Sequence, residues 1–165
     1  MRATDYPYCQ SPFTVLAHRG GAGMAVNKGI ENTLAAFGHA VEVGCTYLET
    51  DVHATSDGVL VAFHDPILDR VTESGGVIAA MPWHKVKQAK VGGEPIPTLD
   101  EIFDAFPEAF INIDIKHDGA TMPLIDVLSR HRAWSRVCVG SFSSKRIQTF
   151  RRLVQGRTAT AVGPV

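Results

Sequence analysis

The stretch that most constrains the fold is YLETDVHATSDGVLVAFHD, residues 47–65. Two apolar runs, Tyr47–Val52 and Val59–Phe63, flank a turn signal at Ser56-Asp57-Gly58, which reads as strand, turn, strand. Side chains in a strand alternate faces, so Glu49 and Asp51 point the same way. Two carboxylates on one face repel each other unless a cation or a proton lies between them. The second strand ends on a Leu60–Ala62–His64 face, with Asp65 directly after it. A Glu-x-Asp pair also occurs on the wet face of edge strands, and a histidine after a strand can be purely structural. This stretch alone does not separate the two readings.

The rest of the chain supplies the context. A short apolar strand, Thr14–Ala17, runs into His18-Arg19-Gly20 and a glycine-rich loop, after a loose lead-in at residues 1–12. A helix opens at Asn32 or Thr33, buries Leu34, Phe37 and Val41, turns His39 and Glu42 to solvent, and ends at Gly44. Residues 66–96 form a long connection with turns at Gly75-Gly76 and Gly92-Gly93, a short helix over Trp83–Ala89, and solvated His84, Lys85, Lys87 and Lys90. Thr98 and Glu101 make a capping box for a helix that Pro107 stops after Phe106. In Phe110–Lys116, Ile111, Ile113 and Ile115 share one face, and Asn112, Asp114 and Lys116 the other. A helix over Leu124–His131 precedes the strand Val137–Gly140, which ends in Ser141-Phe142. Ser143 caps a last helix that buries Ile147, Phe150, Leu153 and Val154, solvates Arg146, Arg151 and Arg152, and stops at Gly156. One more strand begins over Arg157–Val162. Strands apolar on both faces and alternating with helices predict an α/β parallel sheet.

At 165 residues and 45% hydrophobic, the chain suits one globular domain. A net charge of −1 with mixed signs leaves no basic stripe for nucleic acid. The sequence shows neither a transmembrane span nor a signal pattern. Cys9, Cys45 and Cys138 form no C-x-x-C and read as incidental or buried thiols in a reducing compartment, which makes the expected location cytoplasmic.

The special residues all fall at carboxyl ends of successive strands: His18-Arg19, then Glu49 and Asp51, His64-Asp65, Asp114 and Lys116, and Ser141. In a (β/α) barrel those ends form one rim, where active sites are built. The chemistry of the set is coherent. Glu49, Asp51 and Asp114 offer hard oxygen ligands suited to Ca²⁺ or Mg²⁺. Arg19 and Lys116 suit an anionic oxygen, and His18 and His64 can exchange protons near neutral pH. Together these groups describe cleavage of a phosphate ester, a small-molecule phosphodiester being the expected partner.

The pieces HRG at 18–20, ENT at 31–33, ETD at 49–51, TSDGVLVAFHD at 55–65, PTLDE at 97–101, NIDIK at 112–116 and SF at 141–142 resemble, in order, the glycerophosphodiester phosphodiesterase family. The resemblance implies a (β/α)₈ TIM barrel that hydrolyses glycerophosphodiesters to glycerol 3-phosphate and an alcohol. It implies His18 and His64 as the acid/base pair and Arg19 and Lys116 as phosphate contacts. Glu49, Asp51 and Asp114 become ligands of a divalent metal ion. Apart from the resemblance, Asp65, which directly follows His64, and His53 and Asn32 are candidates for supporting residues. His53 shares the parity of Glu49 and Asp51 and so could also line the pocket. The chain departs from the family where Asp114 replaces a usual Glu, where Ile30 replaces the proline before ENT, and where the last barrel strands are missing.

Other readings stay open at this level. A phospholipase D-like activity on lysophospholipids or sphingomyelin would use the same groups. A dinucleotide-binding module is imitated by the glycine-rich turn, although G-x-G-x-x-G is absent. An inactive barrel fragment is the third. Strands near residues 14, 47, 59, 110, 137 and 158 make about the first six of eight. Residues 1–165 therefore read as one catalytic barrel domain truncated at its C-terminus, with unpaired edges that could pair with another copy of the chain.

Overall fold

The computed structural model describes residues 2–161. Five strands form a parallel sheet in the order β1 (Leu16–Ala17), β2 (Tyr47–Ala54), β6 (Phe110–Ile115), β7 (Val137–Gly140), β8 (Ala159–Thr160). Among the described residues this sheet does not close on itself: it is a mostly parallel α/β sheet of TIM-barrel type, left open. The sixth strand, β3 (Leu60–Ala62), breaks the expected pattern, because it pairs antiparallel with β2. No helix separates the two. Thr55 and Asp57 close the turn instead, with the Thr55 hydroxyl donating to Asp57 Oδ1 at 2.6 Å and accepting from Val59 N at 3.0 Å. Gly58 supplies the left-handed backbone, φ 83°, that L-residues avoid. A short local turn makes a hairpin the cheap solution, whereas a parallel partner needs a crossover.

The helices start and stop where short-range chemistry dictates. In α1 (Leu34–Glu42) the Thr33 hydroxyl accepts from Ala36 N, and Gly44 ends the helix at φ 92°. The capping box of α3 (Leu99–Ala105) forms in full between Thr98 and Glu101. α4 (Thr121–Arg130) follows β6, and α5 (Ser144–Val154) is capped by Ser143. Between β3 and α3 lie α2 (Trp83–Val86) and a small hairpin, β4 (Lys90–Val91) with β5 (Glu94–Pro95).

The main core lies between the helices and one face of the sheet. Leu48 and Val52 of β2, Ile111, Ile113 and Ile115 of β6, and Val137 and Val139 of β7 pack with Phe37, Leu99, Ile102, Phe103, Leu124, Leu128, Ile147 and Phe150. Each such side chain contributes about 1.5–3 kcal/mol by leaving water. Residues 66–96 pack Leu68, Ile78, Val86 and Ile96 against Val61 and Phe63 into a second small core, so this long connection is a folded rim layer.

Several expectations change outside the sheet, among them Leu153 of α5, which is 44% exposed instead of buried. The buried stripe of α1 is Ala36, Phe37 and Ala40, while Val41 is exposed. His39 is half-buried and its Nδ1 lies 2.6 Å from Asn27 Oδ1, because the glycine-rich loop folds back over that face of α1. Arg146 is not solvated: it donates to the Ile115 carbonyl at 2.7 Å, to Ser141 Oγ at 3.0 Å and to Asp118 Oδ1 at 2.8 Å. The lead-in is also not loose. Tyr8 is buried against Tyr47 and Phe110, its carbonyl accepts from Tyr47 Oη at 3.0 Å, and its hydroxyl accepts from Asn112 Nδ2 at 3.4 Å. Val162, expected in the last strand, lies outside the described residues.

Candidate active site at the carboxyl rim

β2 and β6 run in register, with Glu49 beside Asn112 and Asp51 beside Asp114. Parity then puts Glu49, Asp51, Asn112, Asp114 and Lys116 on the inward face. β2 continues past this level to Ala54, and β3 brings the chain back, with Phe63 N donating to the Asp51 carbonyl at 3.0 Å. His64 therefore reaches the rim from an antiparallel strand. A cavity of about 270 Å³ is lined by His18, Arg19, Glu49, Asp51, His64, Asp114 and Lys116, together with Asn112, Gly140, Ser141, Phe142 and Ala161. All seven residues expected to act directly on substrate or metal meet there.

The charged groups are tightly interlocked. Lys116 Nζ lies 2.9 Å from Asp51 Oδ1 and 2.6 Å from Asp114 Oδ2. Burial works against its charge, but the two carboxylates prevail and raise its pKa. Glu49 is pushed up to about 7, first by burial and then by the Asp51 charge, although Arg19 N donates to it at 2.7 Å. His18 Nε2 stands 4.0 Å from Glu49 Oε2, with its side chain 68% exposed at the mouth. Arg19, held at φ 50°, places Nε 3.5 Å from Asp51 Oδ2 and Nη1 3.2 Å from Glu31 Oε1.

The supporting residues sit behind this layer. Asn32 donates to Asp51 Oδ2 at 3.2 Å and accepts from Thr50 Oγ1 at 2.9 Å. His64 Nδ1 lies 2.6 Å from Asp65 Oδ1. His53 does not line the cavity. It is buried beneath His64 with Nε2 3.1 Å from the His64 carbonyl, and burial lowers its pKa. Arg70 was missed in the sequence, and Glu31 was placed in a motif without a role. Glu31 accepts from both terminal guanidinium nitrogens of Arg70, at 2.5 and 3.3 Å, and Arg70 Nε also donates to Asp65. Glu31 lay within the ENT motif. Arg70 carried no local signal.

The expected metal cage is not preformed. Among the described residues no group of three or more His, Cys, Asp or Glu side chains is arranged to hold a metal ion. The Lys116 ammonium lies between Asp51 and Asp114, in contact with both. The donor set nevertheless fits a hard dication: Asp114 Oδ1 is buried without a hydrogen-bond partner, and burial together with the Asp51 charge opposes ionisation of Glu49, which a bound cation would relieve. The dinucleotide reading fails on geometry. His18–Gly20 form a 3₁₀ turn, and α1 begins only at Leu34, so no helix N-terminus receives a pyrophosphate at the glycines.

Known proteins agree with this architecture. The model of the "Glycerophosphoryl diester phosphodiesterase family" matches residues 18–159. The chain is 38% identical to the "Probable glycerophosphodiester phosphodiesterase 2" of Mycobacterium tuberculosis, across 90% of this chain and 55% of that protein. It is 38% identical to "Lysophospholipase D GDPD1" of Rattus norvegicus, over 61% of this chain and 35% of that one. Among solved structures, an Oleispira antarctica phosphodiesterase in complex with the product sn-glycerol-3-phosphate superposes with a TM-score of 0.80 at 28% identity, covering 95% of this chain and 67% of that one. The chain thus spans about half the length of the first of these curated relatives, and the match to the family model takes in every strand of the open sheet except β1 and the second residue of β8. Fold, motif order and overall identity converge, and the chain belongs to the glycerophosphoryl diester phosphodiesterase family.

Proposed function

We propose that the protein hydrolyses glycerophosphodiesters to glycerol 3-phosphate and an alcohol, with His18 and His64 as the proton-transfer pair. One observation carries the reading: a single cavity collects two histidines, two cations and three carboxylates from separate strand ends. Arg19 and Lys116 bind the anionic phosphate oxygens. Asp65 accepts the His64 Nδ1 proton, which leaves Nε2 facing the reaction. One histidine removes the nucleophile's proton as its oxygen bonds to phosphorus; the other protonates the departing alkoxide as the P–O bond breaks. A hard divalent cation, Ca²⁺ or Mg²⁺, held by Glu49, Asp51 and Asp114, would neutralise charge developing on phosphate.

The same proposal treats residues 1–165 as the site-bearing part of one barrel domain. It places the protein in the cytoplasm, where Cys9, Cys45 and Cys138 stay as free thiols. No helix among the described residues is long and apolar enough to cross a membrane.

A second reading, release of the headgroup from lysophospholipids, is favoured by Phe142. This ring is 69% exposed at the cavity mouth, over Lys116 Nζ at 5.2 Å, where an acyl chain could lie. The natural full chain should release glycerol 3-phosphate from glycerophosphodiesters, lose turnover in chelator, and regain it with Mg²⁺ or Ca²⁺. Preference for lysophospholipid would select the second reading, and turnover of neither would reject both.

A further inference from the structure

We infer that Arg70 is a positioning residue that sets His64 and Arg19 relative to each other through two carboxylates, an inference that rests on the proposed hydrolysis. Its guanidinium grips Glu31 with Nη1 and Nη2 and Asp65 with Nε. Glu31 Oε1 also takes Arg19 Nη1 at 3.2 Å, and Asp65 Oδ1 takes His64 Nδ1 at 2.6 Å. One planar fork therefore ties the phosphate-binding arginine of the first rim loop to the proton-transfer histidine of the third.

Arg70 does not line the cavity but an adjoining surface hollow with Asp69 and Glu73, so its link to the site runs through Glu31 and Asp65. Its own place is well defined. Leu68, two residues before it, is fully buried; Leu68 N donates to the Gly76 carbonyl at 3.1 Å, and Ile78 N to the Pro66 carbonyl at 3.0 Å. Burial opposes ionisation of Glu31 and Asp65, yet Arg70 and their other partners hold both below the usual carboxylate range. Both carboxylates thus stay charged and able to orient Arg19 and His64. The Arg70 side chain is 45% exposed, and ion pairs this open add little to stability. Its contribution is geometric, because a guanidinium can engage two carboxylates in fixed directions and an ammonium cannot.

The experiment compares Arg70→Ala, Arg70→Lys, Asp65→Asn and the double variant Arg70→Ala/Asp65→Asn in the natural full chain. Arg70→Ala should lower kcat about 10–100-fold, more than it raises KM, with a thermal midpoint shift of about 2 °C or less. Arg70→Lys should recover only a small part of that loss. The double variant should be no worse than the poorer single one, because both break the same chain of contacts. Full rescue by lysine or additive losses would overturn the inference. A second readout is independent of turnover: the imidazole NMR signals of His64 should shift in Arg70→Ala and stay put in the surface control Arg130→Ala. His64 signals unchanged in Arg70→Ala would refute the positioning role. A wild-type chain without activity would instead reject the proposed hydrolysis, leaving the NMR comparison to decide on Arg70.

Discussion

The inward face of β2 and β6 has two halves that differ in chemistry although they share strands, register and parity. At the amino-terminal floor, Tyr47 and Phe110 stack with centroids 4.8 Å apart, and Tyr8 packs edge-on against both. Cys138 and Ala159 complete this apolar cluster, and the Tyr47 hydroxyl finds an acceptor. At the carboxyl rim, two residues further along β2, Glu49 is pushed up to about 7, and four residues further along β6, Asp114 Oδ1 has no hydrogen-bond partner. The floor is satisfied and the rim is not. On this face the floor is apolar and fully satisfied, whereas the rim concentrates paired charges, a raised Glu49 and one unsatisfied carboxylate oxygen.

The largest effect expected from this division is on turnover. His64→Ala or His18→Ala should lower kcat by ~10²–10⁴-fold with little change in unfolding midpoint, measured by glycerol 3-phosphate release and thermal denaturation. A large midpoint shift for either would show the rim to be structural as well. The mirror experiment removes the floor. Tyr47→Ala takes out a ring wedged between Tyr8 and Phe110 and should cost roughly 3–5 kcal/mol, read from urea unfolding, while kcat of the folded fraction stays near wild type. Loss of kcat with intact stability would erase the contrast.

A smaller effect comes from Glu49. Its folded-state pKa lies above its ordinary value, so the native state holds that proton more tightly than the unfolded chain does. The Glu49 contribution to the stability of the cation-free protein should therefore be fully present below the ordinary carboxylate pKa and be lost as pH rises through about 7, a loss on the order of 1–3 kcal/mol. Glu49→Gln should flatten that slope in chelator, and unfolding curves at pH 5 and pH 8 would test it. The smallest effect is assigned to His39, which steadies the glycine-rich loop through Asn27. His39→Ala should cost about 1 kcal/mol and leave kcat nearly unchanged; a His64-sized kcat loss would move the boundary of the rim.

Much of the rim was legible because it depends on local periodicity. Alternation alone put Glu49 with Asp51 and Asp114 with Lys116, and the caps at Thr33, Thr98 and Ser143 lie where the side chains announce them. His64 was assigned to the right end of its strand by a rule for parallel strands, yet it arrives there by a hairpin. The rule does not apply to an antiparallel strand; His64 reaches the cavity because the hairpin return brings the chain back to the level of Asp51.

What the amino-acid order determined by itself is the set of groups that a short-range repeat controls: strand faces, helix ends, and the ordered motifs that mark the family. Tertiary structure decided the rest. It put the Lys116 ammonium between Asp51 and Asp114, joined Glu31 to Arg70 and Asp65, and seated Tyr8 under Asn112. The physical reason is separation along the chain. A period-two pattern fixes direction within a strand, but which charges meet across loops depends on how the whole sheet and its rim layer close in space.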